Sequence, residues 1–265
     1  MASARPVGRL LPALLLIVSS TAGADALDDI LERGSIRVGV AEFVPWTMRS
    51  ESGDLIGFEI DVANKIAEDM GVTAEFEVYV WEDIIAALRG GEIDIIAGGM
   101  SITPERALQV NFTRPIADSG VSLATNTEKT KDIERLEELN DEDIILTVVA
   151  DTLALDVSQT LFGNASINVF PTHDLAEKNV VEGRAHAYVA TLPEVQFLAL
   201  KHPGKIDLPI SEPLIASREA LAVRKGEQEL LNFLDAWVTA RQADKWVPTT
   251  RDYWFNTLDW VEQTD

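Results

Sequence analysis

The chain has 265 residues, with 44 acidic against 22 basic side chains, a formal charge of −22 and no cysteine. That length allows one large or two modest domains, and the negative charge argues against nucleic acid or an anionic membrane surface as a partner. Without cysteine the chain has no disulfide framework and no thiol to carry a lipid anchor. Any anionic ligand must be captured by local positive groups, because the overall charge repels it.

The first element in chain order is a predicted secretory signal over residues 1–24. Arg5 and Arg9 precede an apolar run at residues 10–19, and small residues follow, as in a cleavable export signal. A retained membrane anchor is the alternative, but the run is too short to span a bilayer. Cleavage is expected after Ala24, or otherwise after Ala26, and releases an exported protein. Its acidic surface is typical either of a protein from a salty habitat or of an ordinary acidic exported protein.

Strand and helix patterns alternate along the rest of the chain. The first set comprises strands at 36–40, 74–79 and 94–97, a hairpin turn at 51–54, and helices at 59–70, 82–89 and after residue 103. The second set comprises strands at 144–149, 167–170 and 185–189 and helices at 152–161, 174–182 and 193–200. This alternation predicts an α/β protein with parallel sheets and helices on both faces.

The two sets predict two lobes. Residues 119–143 separate the sets, and a strand at 221–226 with a following helix to about residue 242 ends the pattern. A chain that leaves one α/β unit, builds another and returns crosses between them twice, which predicts a hinge and a cleft. We expect the first lobe at residues 25–120 and 219–265, the second at 121–218, and crossings near 119–124 and 217–220.

The most informative segment is residues 94–112. An apolar strand runs into Gly98-Gly99, where a ligand can approach the backbone without a Cβ in the way. Thr103 can then cap a helix that carries Arg106 in its first turn. An anion there would meet free backbone N–H groups, the helix dipole and a two-pronged guanidinium, which predicts a carboxylate receptor. The alternative is a buried strand–turn–helix whose arginine pairs with one of the protein's own carboxylates.

Several motifs occur in a characteristic order and spacing. They are Gly57–Ala63, Trp81–Leu88, Gly91–Arg106, Val110–Pro115, Glu182–Arg184 and Ala222–Gly226. Together they resemble the type II periplasmic substrate-binding proteins, in particular solute-binding protein family 3, over nearly all of the mature length. The resemblance implies a two-lobe fold with a two-strand hinge. It also implies a periplasmic protein, expected to be a monomer, that captures a small carboxylate-bearing solute, an amino acid or similar compound, for the permease of an ABC transporter.

The resemblance also implies ligand-binding residues. It places the ligand carboxylate on Arg106, beside Ser101 and the backbone around Gly99. It places the aromatic faces of Phe43 and Trp81 around the ligand side chain, where such rings contribute apolar area and attract cations. For both aromatic residues, packing in the protein's own core is the alternative.

The sequence departs from its relatives where a ligand amine would bind. Relatives usually carry an aspartate for the α-ammonium at the position of Thr191, and a hydroxyl cannot neutralise a buried ammonium. Val40 stands where relatives with basic ligands carry an aspartate, so lysine- or arginine-like ligands are not expected. Thr152 keeps a hydroxyl at the start of the second lobe's first helix. Asp151 before it either supplies the missing counter-charge or caps the helix, and we expect the cap.

The sequence predicts no catalytic residue, no metal site and no cofactor. His173, His186 and His202 lack metal-ligand spacing and are expected to be surface or helix-start residues. An enzyme resembling cyclohexadienyl dehydratase on the same fold is the alternative function, with Asp151 or Glu42 as general acid. A sensory module for a membrane receptor is another.

The identity of the solute stays open at this point. It could be a neutral amino acid with its amine bound in an altered way, a carboxylate without an amine, or a methylated ammonium carboxylate held between Phe43 and Trp81.

Overall fold

A computed structural model of the protein describes residues 26–257 and 259–263. The predicted signal at residues 1–24 lies outside these described residues. Within the described ranges, no helix has the length and apolar character needed to cross a membrane.

The helices and strands follow the predicted alternation. The strands are β1 (Ser35–Val40), β2 (Met48–Arg49), β3 (Leu55–Ile56), β4 (Thr73–Val78), β5 (Ile95–Ile96), β6 (Asn111–Phe112), β7 (Ala117–Asn126), β8 (Ile145–Val149), β9 (Ser166–Phe170), β10 (Ala187–Thr191), β11 (Ile206–Asp207), β12 (Ile215–Glu219) and β13 (Ala222–Val223). The helices are α1 (Ala26–Arg33), α2 (Phe58–Met70), α3 (Trp81–Gly90), α4 (Pro104–Ala107), α5 (Leu153–Leu161), α6 (His173–Val181), α7 (Leu192–Lys201), α8 (Gln228–Ala243) and α9 (Trp246–Asn256), with 3-10 turns at Leu136–Leu139 and Val261–Gln263.

The first sheet has the strand order β4-β1-β5-β13-β6. Strand β1 runs parallel to β4 and β5, whereas β13 is antiparallel to β5 and β6. Ile95 and Ile96 of β5 are both fully buried, one in the core with α2, α8 and α9 and the other in the core with α3. Successive side chains of a strand point to opposite faces. The continuous apolar run of this strand is therefore explained by helices on both sides.

The second sheet has the order β11-β7-β10-β8-β9, with β12 also paired to β7. Strand β8 is parallel to β9 and β10, and β7 is antiparallel to β10, β11 and β12. Tyr188 and Val189 of β10 are both buried, in separate cores on the two faces. The prediction of wholly parallel sheets was wrong for both sheets. Strands β7 and β13 pair antiparallel with strands that are distant in the chain, and the local strand–helix alternation carries no information about such pairings.

The two predicted crossings lie side by side. The chain passes from β6 of the first sheet into β7 of the second, and from β12 of the second into β13 of the first. Strands β7 and β12 pair antiparallel, with Ser119 opposite Ser217 and Gly120 opposite Ala216. A paired two-strand connection fits a hinge. The lobe boundaries at residues 120 and 218 fall within this ladder and stay a prediction.

Two elements differ from the sequence pattern. Helix α9 was not predicted, because Pro248 and several aromatic side chains give it a poor helical pattern. Tertiary packing overrides that propensity, since Trp254 is buried in the core that α9 forms with β5, α2 and α8. Strand β10 begins at Ala187 rather than Ala185, because the backbone N–H groups of Arg184 and Ala185 donate to the carbonyl of Asn179 instead of a neighbouring strand. The strand ends at Thr191, two residues beyond its predicted end.

Candidate ligand-binding site

A cleft with about 480 Å3 of empty space, part of it open to solvent, lies between the two sheets. All seven residues predicted to bind ligand line it. Phe43, Trp81, Gly99, Ser101 and Arg106 come from the side of the first sheet, and Thr152 and Thr191 from the side of the second. The structure therefore brings these residues together, and their role in ligand binding stays a prediction.

Arg106 is positioned by the start of α4. Thr103 caps this helix, its Oγ1 accepting from the backbone N–H of Arg106 at 3.2 Å, and Pro104 occupies the first turn. The guanidinium is buried and donates to two backbone carbonyls, that of Ser101 at 3.0 Å and that of Asp151 at 2.6 Å. Burial lowers the pKa of Arg106, while Asp156 and Asp151 act in the opposite direction.

The described residues form no ion pair with Arg106 within 4.0 Å. The alternative of a structural arginine neutralised by a carboxylate of the protein is therefore not what the geometry of the described chain shows. A buried guanidinium whose hydrogen-bond acceptors among the described residues are two backbone carbonyls keeps its capacity for a two-pronged bond to an anion.

Gly99 differs from the expectation of a free backbone N–H. Its N–H donates to Glu59 Oε1 at 2.8 Å, so this donor already has an acceptor inside the protein. Gly99 has a φ of +61°. A Cβ at this position would lie 2.5 Å from Trp46 Nε1 and 3.0 Å from Phe43 Cζ. Because Gly99 has no side chain, Trp46 and Phe43 can approach its backbone. Gly99 therefore serves the packing of the cleft wall rather than donating its N–H to a ligand.

Replacing Gly99 with alanine is expected to lower the free energy of unfolding by about 2–4 kcal/mol, because a positive φ and an overpacked contact each carry a cost. Gly53→Ala is the matched control. It also has a positive φ, +88°, but a Cβ there meets nothing within 4 Å, so only the conformational cost of about 1 kcal/mol remains. Urea denaturation of both variants is the measurement. Equal losses would show that the contact with Trp46 and Phe43 contributes nothing.

The aromatic side chains form a continuous group at the cleft. The ring of Phe43 stacks on Trp46, with centroids 4.6 Å apart, and on the imidazole of His173, 4.9 Å away. Trp81 meets Phe43 edge-on at 6.3 Å, and its ring centroid lies 5.6 Å from Arg106 Cζ. Phe43 is therefore both buried and part of the cleft wall, so the two readings proposed from the sequence are not exclusive.

Asp151 does not cap its helix, contrary to expectation. The cap of α5 is Thr152, whose Oγ1 accepts from the Leu155 N–H at 3.4 Å and donates to the Val149 carbonyl at 2.8 Å. Asp151 precedes it with a φ of +55°, and its side chain is exposed. Its contribution is the backbone carbonyl, which accepts from Arg106 and, at 3.1 Å, from Trp81 Nε1. These bonds join the two sides of the cleft.

Three residues that the sequence did not predict share one wall of the cleft. Glu194 is 1% exposed, and its Oε1 contacts both the Tyr188 hydroxyl and His173 Nδ1. The Thr191 hydroxyl, at the end of β10, lies 3.4 Å from Glu194 Oε2. His173 does begin α6, as expected, but its side chain is not on the surface: it is 12% exposed and lines the cleft.

The sequence contained one signal for this cluster. Thr191-Leu-Pro-Glu194 has the form of a helix start with an acid three residues later, which is usually a capping pattern. In the structure, the Thr191 side chain makes no capping bond. Glu194 instead contacts Tyr188 and His173. The two other histidines lie apart from the cleft lining: His186 accepts from the Ile145 N–H at 3.0 Å, and His202 follows α7.

Ionisable groups around His173 affect one another. Burial lowers the pKa of His173, but the neighbouring Glu194 carboxylate raises it, and the net result is a pKa above the ordinary value. Burial raises the pKa of Glu177, one turn along α6, to about 8. Burial and Glu194 likewise raise the pKa of the Tyr188 hydroxyl. His173, Glu177 and Tyr188 therefore form a group whose pKa values all respond to the carboxyl group of Glu194.

Two further carboxyl groups are buried behind the cleft. Glu59 accepts from Gly99, and Glu219 Oε2 accepts from Trp46 Nε1 at 3.1 Å. Burial raises the pKa of Glu59 to about 8, and Glu219 adds to the rise. Burial raises the pKa of Glu219 to about 7, which Ser119 and Arg251 partly oppose. Glu59 consequently favours the neutral form near pH 7.

Comparisons with known proteins place the chain among binding proteins. It is 29% identical over 220 residues to a probable amino-acid ABC transporter periplasmic-binding protein of Sinorhizobium fredii, covering 79% of this chain and 73% of that one. It is 23% identical over 243 residues to a cyclohexadienyl dehydratase of Pseudomonas aeruginosa, covering 91% and 90%. Its structure matches that of an ancestral amino acid-binding protein, described as a precursor of cyclohexadienyl dehydratase, with a TM-score of 0.80 and 31% identity over 88% of this chain and 100% of that one.

The family assignment rests on most of the chain. The model of the bacterial extracellular solute-binding proteins, family 3, matches residues 36–257. That range contains both sheets apart from Ser35 at the start of β1, the strands that connect them and every residue named in the cleft. The protein belongs to family 3 of the bacterial extracellular solute-binding proteins.

Proposed function

We propose that the protein is a periplasmic solute-binding protein that captures a small carboxylate-bearing solute, an amino acid or an amino-acid-like compound, and delivers it to the permease of an ABC transporter. The observation that carries this proposal is Arg106. It is a buried guanidinium at the wall of the cleft whose acceptors in the described chain are backbone carbonyls. A carboxylate can replace such acceptors with a stronger, charge-assisted pair of bonds.

The proposed action is closure over the solute. Ser101, Arg106 and Trp81 contact the solute from one side, and Thr152 and Thr191 from the other. A solute stabilises the closed form only to the extent that it contacts both sides. The protein acts without catalysis, as a monomer in the periplasm, and the amino-acid-binding relatives support the class of solute.

A thermal-shift screen tests the proposed function. The probes are neutral, acidic and aromatic L-amino acids, simple carboxylates of matching size, and methylated ammonium carboxylates. A solute that binds the native state adds about 2.7 kcal/mol to the free energy of unfolding at a concentration of one hundred times Kd. This added stability raises the melting temperature. A shift with carboxylate-bearing probes but not with the corresponding amides is expected. No shift with any carboxylate would contradict the proposal.

Closure makes a separate prediction for the hinge. Small-angle X-ray scattering is expected to give a smaller radius of gyration with a solute found in the screen than without it. The predicted crossings near residues 119–124 and 217–220 are expected to be the pivot, because both connections between the sheets pass through them. An unchanged radius of gyration with saturating solute would argue against closure.

A catalytic role is a second candidate, and one observation favours it. Glu194, with Tyr188 and His173, is a buried acid at the cleft wall, and one relative is a cyclohexadienyl dehydratase. The acids suggested from the sequence do not fit: Glu42 is bonded to Arg49 at 2.7 Å outside the cleft, and the Asp151 side chain is exposed. Formation of an aromatic product from a cyclohexadienyl carboxylate, followed by absorbance, would establish catalysis.

A further inference from the structure

Strand β10 ends at the cleft in Thr191, whose hydroxyl carries no charge. A hydroxyl can accept a hydrogen bond from an ammonium group but cannot offset its charge in a buried site. A solute with an amine therefore needs another carboxylate within the cleft. Among the described residues that line the cleft, Glu194 is the one acid.

Most of the neighbouring acids are directed elsewhere. Asp151 is exposed and contributes only its carbonyl, and Glu42 pairs with Arg49. Glu59 and Glu219 are buried behind the cleft, and their oxygens accept from Gly99 and from Trp46. None of these four side chains belongs to the cleft lining. Glu194 does belong to it and is almost fully buried there.

The two oxygens of Glu194 have different surroundings. Oε1 contacts Tyr188 and His173, which fix the orientation of the carboxylate. Among the described residues, Oε2 has only a long contact with the Thr191 hydroxyl, 3.4 Å away, which leaves capacity for a further donor. An ammonium group placed between Oε2 and Thr191 Oγ1 would receive one charged and one neutral acceptor. A carboxylate held by two neighbours is preorganised for such a bond.

We infer that Glu194 Oε2 and Thr191 Oγ1 bind the ammonium group of an amino-acid solute whose carboxylate is bound by Arg106. This inference rests on the proposed function and narrows its solutes to those with a primary amine. Glu194 takes over the role that Thr191 cannot fill, from one turn further along the chain. Tyr188 and His173 act as positioning residues that hold Glu194 toward the cleft.

His173 also competes for Glu194. Its imidazole lies on Glu194 and stacks on Phe43, so a protonated His173 itself supplies a cation to the same carboxylate. The other ionisable groups around it are Tyr188 of β10 and Asp174 and Glu177 of α6. Binding of an ammonium disfavours the protonated imidazole by charge repulsion. Where His173 is protonated, amino-acid binding is therefore coupled to release of its proton, whereas binding of a carboxylate without an amine is not.

The test is calorimetric titration of the full-length mature protein with three matched pairs: leucine and 4-methylpentanoate, phenylalanine and 3-phenylpropanoate, glutamate and glutarate. In at least one pair the wild type is expected to bind the amino acid at least about 10-fold more tightly. Glu194→Gln should remove that advantage while changing the affinity for the amine-free partner by less than about threefold. Glu182→Gln is the control, because Glu182 is exposed and pairs with Arg184 outside the cleft.

Several results would overturn the inference. An amino-acid affinity unchanged by Glu194→Gln, or abolished instead by Asp151→Asn, assigns the ammonium elsewhere. Equal wild-type affinities for the two members of every pair would show that the amine contributes nothing to binding. That result would contradict the ammonium site but would still agree with the proposed function, in which Arg106 binds the carboxylate. If no probe of either kind binds, both proposals fail. Should Glu194→Gln not fold, Thr191→Val decides, because it removes the second acceptor of the proposed ammonium site. Weaker binding of the amino acid alone supports the inference, and unchanged binding of both members of a pair contradicts it.

Discussion

Replacing Arg106 with lysine is expected to weaken solute binding by at least about 1.5–3 kcal/mol. Lysine keeps the positive charge but lacks the planar pair of donors that matches a carboxylate. It also cannot make both of the present bonds to the carbonyls of Ser101 and Asp151 with the same geometry. The measurement is calorimetric titration with a solute found in the thermal-shift screen.

Arg135→Lys is the matched control for Arg106. Arg135 has a side chain that is 71% exposed and pairs with Glu138 on the surface, where such pairs contribute little. This variant should bind the solute as the wild type does. An affinity that Arg106→Lys leaves unchanged would remove Arg106 from the proposed site.

Replacing Glu59 with glutamine is expected to reduce the loss of stability as the pH rises. Burial raises the pKa of Glu59 from 4.5 to about 8, so the folded protein binds this proton more tightly than the unfolded chain. Such a group contributes fully below pH 4.5 and loses its contribution as the pH rises through 8. A difference of that size corresponds to at most about 5 kcal/mol. Glutamine can still accept from the Gly99 N–H but has no proton to lose.

The comparison is made by urea denaturation at about pH 5 and about pH 8.5. The wild type should be markedly less stable at the higher pH, and Glu59→Gln should lose less, the remainder coming in part from Glu219, whose pKa of about 7 is raised in the same way. Glu68→Gln is the control, since its side chain is 72% exposed. A loss in Glu59→Gln equal to that in the wild type would contradict the role assigned to this carboxyl group.

Most of the fold could be predicted because its elements are encoded locally. Strand β1 and helices α2, α3 and α5 begin and end within about two residues of their predicted bounds, and α8 ends within two residues of its predicted end. Apolar periodicity and terminal glycines are properties of neighbouring residues, so a single sequence displays them. The antiparallel strands β7 and β13 were missed as such, because strand direction depends on partners distant in the chain.

The site was predictable to the extent that its residues belong to local motifs. Thr103, Pro104 and Arg106 form one helix start, and the structure has the expected cap. The Glu194 cluster was not predictable in this way, because it joins residues from β10, α6 and α7. The bond between Gly99 and Glu59 spans 40 positions of sequence, and no spacing rule relates such residues. The solute roles of the seven predicted residues await the titrations described above.

The carbonyl of Asp151 has a consequence for genetic experiments. It accepts from both Arg106 and Trp81, and these bonds join the two sides of the cleft before any solute is considered. Every amino acid has that carbonyl, so a side-chain scan will detect the two donors but will pass over their shared acceptor. A scan of side chains would therefore score residue 151 without testing the carbonyl that holds Arg106 and Trp81. Only a change in the main chain itself, such as an ester in place of the following amide or a residue that cannot adopt the positive φ of 55°, would reveal its contribution.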